Sequence, residues 1–141
     1  MWDRFTDRAR RVMLMATLEA HRFRHESVGP EHLLLGLVQE GSGDAARALA
    51  RRAGTLLRVR QAVEAVLRVG AGGPDFRDLP FTSGTYKVIE WADEEAWASG
   101  RRRIDDVCLL LGLLRRADGL AARVLADLGV RAEDVLSEPE A

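Results

Sequence analysis

The feature that most constrains this chain is an internal repeat. Leu33-Leu34-Leu35-Gly36-Leu37 recurs as Leu109-Leu110-Leu111-Gly112-Leu113, an offset of 76 residues. Held without a gap, that offset also places Phe5-Thr6 on Phe81-Thr82, Val12 on Val88, Ala16 on Ala92, Glu19-Ala20 on Glu95-Ala96, and Ala45-Ala46-Arg47 on Ala121-Ala122-Arg123. From position 5 to 54, 17 of 50 positions are identical, too many in one ungapped register for shared composition alone. A duplicated unit of this size cannot bury its apolar faces alone and packs against its copy. We therefore expect one domain over residues 1–141, made of repeat one (1–69), a linker (70–80) and repeat two (81–141). The repeats differ in charge, net +4 over residues 1–70 and -5 over 71–141, which favours their packing together.

Each repeat reads as four helices. Thr6 caps a helix running to about Arg24, with Ala9, Val12, Met13, Ala16, Ala20 and Phe23 at helical spacing. Gly29-Pro30 opens a short second helix through Gln39, and Ser42 caps a third over 44–53 that Gly54 stops. A fourth spans 56–69, with Val59, Val63, Val66 and Leu67 on one face. Repeat two gives 82–99, 106–116, 120–128 and 131–136. No segment sustains period-two alternation, so the fold class is all-α, eight helices and no sheet. The leucine-rich second helix of each repeat is apolar nearly all round and belongs at the centre.

Composition bears mainly on what the chain is not. A net charge of -1 gives no global basic field for nucleic acid or a membrane surface. The longest apolar run, Val107 to Leu114, is far below the ~20 residues of a membrane span. One cysteine excludes an internal disulfide framework, and with a charged first turn in place of a signal peptide this points to the cytoplasm. Arginine outnumbers lysine twenty to one, with no asparagine, as in GC-rich coding, so arginine richness is not by itself a phosphate signal.

Catalytic patterns are missing: no phosphate-cradling loop precedes the single Lys87, and no G-x-S-x-G elbow occurs. Cys108 sits inside a leucine run and reads as core. His21, His25 and His32 are spaced to approach one another, yet no cysteine pair or dedicated acid accompanies them; no metal or other cofactor is expected. Arg51-Arg52 and Arg101-Arg102-Arg103 are short runs read as solvated helix ends rather than a nucleic-acid patch. Phe5 and Phe81 precede the first and fifth helices at equivalent positions. Either they staple those helix starts, or helices one and five lie side by side and leave a shallow groove on the pseudo-twofold axis.

The segments Arg4-Phe5-Thr6-Asp7-Arg8-Ala9 and Val28-Gly29-Pro30-Glu31-His32-Leu33-Leu34-Leu35-Gly36-Leu37 resemble the double Clp repeat, the amino-terminal domain of the ClpA and ClpC unfoldases, and the ClpC form most. The resemblance covers essentially the whole chain and implies eight helices in two pseudo-symmetric four-helix repeats. No ATPase module follows, so the expectation is a free-standing Clp-repeat protein or a piece of a longer chain. The resemblance implies a non-enzymatic module that binds peptides or proteins (Clp substrates and adaptors), with a Clp ATPase as a further partner. It also implies a phosphoarginine pocket per repeat: Thr6 and Glu31 form the first, whereas Val107 and Cys108 replace the family glutamate and histidine in the second. A groove for cyclic peptides of the cyclomarin type carries over to Trp2, Arg10, Met13, Thr17, Phe81, Tyr86, Ile89 and Glu90. The alternatives are a resistance protein that sequesters such antibiotics and, from another class, a helical nucleic-acid-binding regulator.

Overall fold

The computed structural model describes residues 1–116 and 119–137. Among these, eight α-helices follow one another: α1 (Asp7–Arg22), α2 (Pro30–Glu40), α3 (Asp44–Ala53), α4 (Leu56–Glu64), α5 (Ser83–Ala98), α6 (Asp106–Arg115), α7 (Leu120–Asp127) and α8 (Ala132–Leu136). Thr6 and Thr82 cap α1 and α5 alike, each hydroxyl oxygen accepting the N–H three residues on at 3.1 Å. In both repeats the first helix packs closely on the second. Gly36 and Gly112 allow this: a Cβ there would lie 2.5 Å from the Val12 carbonyl oxygen and 2.6 Å from that of Val88. Leu33–Leu35 and Leu109–Leu111 are buried, so α2 and α6 form the middle of a continuous core, as their sequence predicts.

The repeats are tied together by a crossed backbone exchange. Phe5 pairs with Ile104 and Phe81 with Val28, two isolated parallel bridges related by the 76-residue offset. Thr6 N–H donates to the Ile104 carbonyl at 2.9 Å, and Thr82 N–H to that of Val28 at 3.0 Å. Ile104 and Val28 return the bond to Arg4 (2.6 Å) and Pro80 (2.8 Å). Each repeat therefore begins its first helix by pairing with the approach to the other's second helix.

Three local expectations fail for identifiable reasons. The fourth helix ends at Glu64 rather than 69, leaving Val66 and Val69 exposed, because the chain turns back along the end of α1. There Gly70 and Gly72 donate to the Phe23 and Arg24 carbonyls at 2.8 and 2.9 Å. Ser42 does not cap α3: its hydroxyl bonds the Glu40 carboxylate, the cap position is Gly43, and the Ala45 N–H is met by Asp106 of the other repeat at 3.0 Å. The linker also contains a 3-10 turn, Phe76–Asp78, packed on α1.

Candidate functional site

Arg10, Met13, Leu14 and Thr17 lie at i, i+3, i+4 and i+7 and so share one face of α1. Above that face is a hollow of about 440 Å³, closed by Trp2, by Phe81, and by Phe76, Arg77 and Leu79 of the linker turn. Met13 is buried and forms the base, whereas Leu14 is 53% exposed at the edge. Arg10 fastens the amino-terminal turn, its Nε donating to the Trp2 carbonyl at 3.0 Å. The Thr17 hydroxyl donates to the Met13 carbonyl at 3.0 Å.

Tyr86, Ile89, Glu90 and Asp93 occupy the equivalent face of α5, and they too line a hollow, of about 340 Å³, with Met1, Arg4, Phe5 and Ile104. The offset maps Arg10 on Tyr86, Met13 on Ile89, Leu14 on Glu90, Thr17 on Asp93, Arg77 on Met1 and Phe81 on Phe5. The two hollows are pseudo-twofold copies. The expected groove residues divide between these two hollows, Trp2, Arg10, Met13, Thr17 and Phe81 lining the first and Tyr86, Ile89 and Glu90 the second. Trp2 lines the first hollow, with its ring 5.2 Å from Phe5 and 6.1 Å from Phe81. Phe81 also lies 5.6 Å from Tyr86, so an aromatic row links the two sides.

The copies differ in chemistry. The first is apolar with cations, Arg10 and Arg77, at its rim. The second has acids at its rim: Asp93 is gripped by Arg4 at 2.5 and 3.1 Å, and Glu90 lies 3.6 Å from Lys87. Sequence reasoning missed Leu14, Phe76, Arg77 and Leu79. Leu14 and Leu18 did carry a signal, as leucines four apart on α1 but off its buried stripe.

Thr6 and Glu31 are not brought together. Arg8 and Arg11 reach Glu40 at the far end of α2, at 3.6 and 3.4 Å, so α1 begins where α2 ends. Glu31 is in the first turn of α2, nine residues or ~13 Å of helix rise away. Its carboxylate folds over Gly29 and lies 3.7 Å from His32 Nδ1. The crossed pairing instead sets Thr82 beside Val28, three residues before Glu31, and sets Thr6 in a polar hollow with Asp3, Arg4, Arg101, Arg102, Arg103 and Asp105.

His25 and His32 meet. Gly29 N–H donates to His32 Nδ1 at 2.9 Å, which puts the His32 proton on Nε2 to donate to His25 Nδ1 at 2.7 Å. His25 Nε2–H then donates to the Arg68 carbonyl at 2.5 Å. Two neutral rings complete this chain, and burial, reinforced by the neighbouring His25, pushes His32 down to about 4. His21 faces the Phe76 ring instead. Among the described residues no three His, Cys, Asp or Glu side chains converge as metal ligands would. Burial pushes the Cys108 thiol up to about 12, the wrong direction for a nucleophile. No helix among the described residues is long and apolar enough to cross a membrane.

Comparison with known proteins agrees with this architecture. The profile of the Clp repeat (R) N-terminal domain matches residues 4–126 and, a second time, 80–141. The chain is similar to the chaperone protein ClpB of Oceanobacillus iheyensis, 39% identical over 130 residues that make up 92% of this chain and 16% of that protein. It is also similar to the negative regulator of genetic competence ClpC/MecB of Bacillus subtilis, 41% identical over 130 residues, again 92% of this chain and 16% of that protein. The chain therefore spans about a sixth of the length of these relatives. Among solved structures, the N-terminal domain of the caseinolytic protease associated chaperone ClpD from Arabidopsis thaliana superposes with a TM-score of 0.78 at 27% identity, covering 97% of this chain and 95% of that one. The N-domain of ClpV from Vibrio cholerae has a TM-score of 0.78 at 18% identity, covering 96% and 87%, and shares the fold. With both repeats matched and the whole architecture superposed, this chain belongs to the Clp repeat N-terminal domain family.

Proposed function

We propose that this chain is a non-catalytic module that binds peptides and proteins for the Clp protease system, handing on substrates or adaptors, with a Clp ATPase as its partner. The observation that carries the reading is the chemistry of the first hollow. Met13, Leu79 and Phe81 give an apolar floor, Trp2 and Leu14 an exposed apolar wall, and Arg10 and Arg77 a cationic rim. About 440 Å³ accepts two or three large side chains, and the rim favours an acidic residue beside them. An extended segment of an unfolded protein offers that combination; a folded surface rarely does. The relatives support the setting, one being the chaperone protein ClpB and the other the negative regulator of genetic competence ClpC/MecB.

A phosphoarginine site formed by Glu31 with Thr82 is supported by the Thr82–Val28 pairing, with one site per chain because the position equivalent to Glu31 holds Val107. Glu31→Ala should abolish that binding in calorimetric titration with the free amino acid; two equivalent sites would defeat the assignment. The main reading is tested with a carboxymethylated, permanently unfolded polypeptide and with a cyclic peptide of the cyclomarin type. Both should bind the native chain and weaken in Trp2→Ala. Undiminished binding of both to a folded Trp2→Ala protein would place the site elsewhere.

A further inference from the structure

Trp97 is the most exposed aromatic side chain among the described residues, at 69%, and it stands at the end of α5. The offset places His21 at this position of repeat one, where the ring faces Phe76, so the repeated architecture does not require an indole here. Arg4 stacks on the ring at 5.0 Å. Glu90, Asp93 and Glu94 lie seven, four and three residues before Trp97 and share its face of the helix. Asp93 is committed to Arg4. Glu90 and Glu94 are largely exposed and make only surface pairs, at 3.6 Å with Lys87 and 3.4 Å with Arg115. This face of α5 therefore ends in a projecting aromatic ring with two available acids beside it.

The first hollow is its complement. Its floor is Met13, Leu79 and Phe81, and its rim carries Arg10 and Arg77. Those arginines have only exposed partners, Asp7 at 3.8 Å and Asp75 at 3.5 Å, in pairs that solvent screens. Trp97 cannot enter the hollow of its own chain. Phe81 stands in the wall of that hollow at the start of α5, and Trp97 is at the other end of the helix, ~20 Å away.

We propose that a second copy of this chain is the partner: Trp97 of one molecule seats in the first hollow of the next, with Glu90 and Glu94 turned to Arg10 and Arg77. The inference rests on the reading of the first hollow as a binding site and adds its regulation, because a hollow filled by Trp97 is closed to a peptide. About 440 Å³ admits an indole with room beside it. Charge favours the same pairing at larger scale. α1, the base of the hollow, belongs to the half with net charge +4, and α5 to the half with -5, so the two faces attract across molecules. Ring and hollow are different surfaces, and each molecule offers one of each. Association therefore runs head to tail, into open chains or a ring, and not into a twofold dimer. One aromatic ring and two surface ion pairs bury less than the ~1,200 Å² of a stable interface, so the contact is weak and follows local concentration.

Sedimentation velocity on the full chain tests this between about 10 μM and about 1 mM, the range suited to a contact of that size. The native chain should sediment faster as its concentration rises. Trp97→Ala should weaken association at least tenfold. Leu14→Glu, which sets an acid at the edge of the hollow against Glu90 and Glu94, should do the same. Both positions are exposed, so both variants should keep the native melting temperature. Mixed in equal amounts, the two variants should form a one-to-one complex and stop there, because one retains the hollow and the other retains the ring. Four results would overturn the proposal: a native chain that stays monomeric throughout, Trp97→Ala associating as the native chain does, the mixed variants staying apart, or native association that ends at a twofold dimer. Peptide binding is read separately, by titrating the carboxymethylated polypeptide into Trp97→Ala, which should bind it at least as tightly as the native chain. If the one-to-one complex forms while neither protein binds the polypeptide, the peptide-binding reading fails and this contact stands. If Trp97→Ala binds the polypeptide while the native chain never associates, this contact fails and that reading stands.

Discussion

Phe5 and Phe81 occupy equivalent positions in the two repeats, yet the fold gives them opposite work. Phe5 is fully buried, and its ring is part of the core. Truncating it to alanine removes a large buried side chain and leaves a cavity, at a cost of about 3–5 kcal/mol. For a domain of this size that is a large part of the total stability. Phe81 is half-buried between Trp2, Tyr86 and the hollow. Part of its ring already meets water, so Phe81→Ala should cost roughly half as much stability, about 2 kcal/mol. Its effect on binding should be larger. A rigid aromatic in the wall of a pocket is the usual anchor of an interface, and its loss typically costs about 2 kcal/mol or more, roughly thirtyfold in affinity. The assay is thermal unfolding by circular dichroism for both variants, followed by calorimetric titration with the unfolded polypeptide well below either transition. Phe5→Ala should melt much earlier but bind normally for each folded molecule; Phe81→Ala should melt slightly earlier and bind weakly. The reasoning is refuted if Phe81→Ala proves as destabilising as Phe5→Ala while its folded fraction binds at full strength, since Phe81 would then be only a staple.

Asp106→Ala should lower stability by about 1–3 kcal/mol in chemical denaturation, because it leaves the buried Ala45 N–H of the other repeat without an acceptor; Asp106→Asn, which keeps an oxygen there, should cost less. Arg60 holds the buried Glu19 at 2.5 Å and also reaches Gln39 and Glu64, joining α1, α2 and α4. Arg60→Met should therefore cost about 3–5 kcal/mol, and Glu19→Gln in the same chain should recover most of it, measured by the same denaturation. His32 is held near 4, below the 6.5 of the unfolded chain, so between those values the unfolded state binds the extra proton and stability falls as pH falls. Melting temperature should be flat above pH 6.5 and drop toward pH 4 by the equivalent of about 3 kcal/mol, and His32→Asn should remove that slope.

What the sequence made legible is what periodicity and repetition encode. The offset of 76 residues located both copies of the helix pair, and Thr6, Thr82 and Gly54 marked helix ends because capping and left-handed closure depend on one residue and its near neighbours. The crossed bridges were illegible because backbone pairing of two residues leaves no pattern in side chains. The resemblance pairs Thr6 with Glu31 inside one repeat, whereas the exchange sets Thr6 beside Ile104 and Thr82 beside Val28, each a segment of the other repeat. Asp106 was missed as a cap because its target lies 61 residues away. The expected groove residues lie on two helix faces, and nothing in their spacing revealed that those faces line separate hollows. The linker was judged by its glycines, so the apolar Phe76 and Leu79 within it went unused.

The comparison between the repeats separates structure from specificity. Most positions identical across the offset are buried in both copies: Val12 and Val88, Ala16 and Ala92, Leu33 to Leu35 and Leu109 to Leu111. These cannot change without disturbing close packing, since Gly36 and Gly112 leave no room even for a methyl group. The faces of α1 and α5 that line the hollows share almost nothing: Arg10 against Tyr86, Leu14 against Glu90, Thr17 against Asp93. Nothing in the core constrains them, so two copies of one architecture were free to acquire different surfaces. The crossing makes that freedom useful. Phe81 of repeat two walls the hollow on α1, and Met1 and Arg4 of repeat one wall the hollow on α5, so a ligand in either hollow would contact both repeats. Binding at either hollow would therefore stabilise the packing of the whole domain rather than of one half.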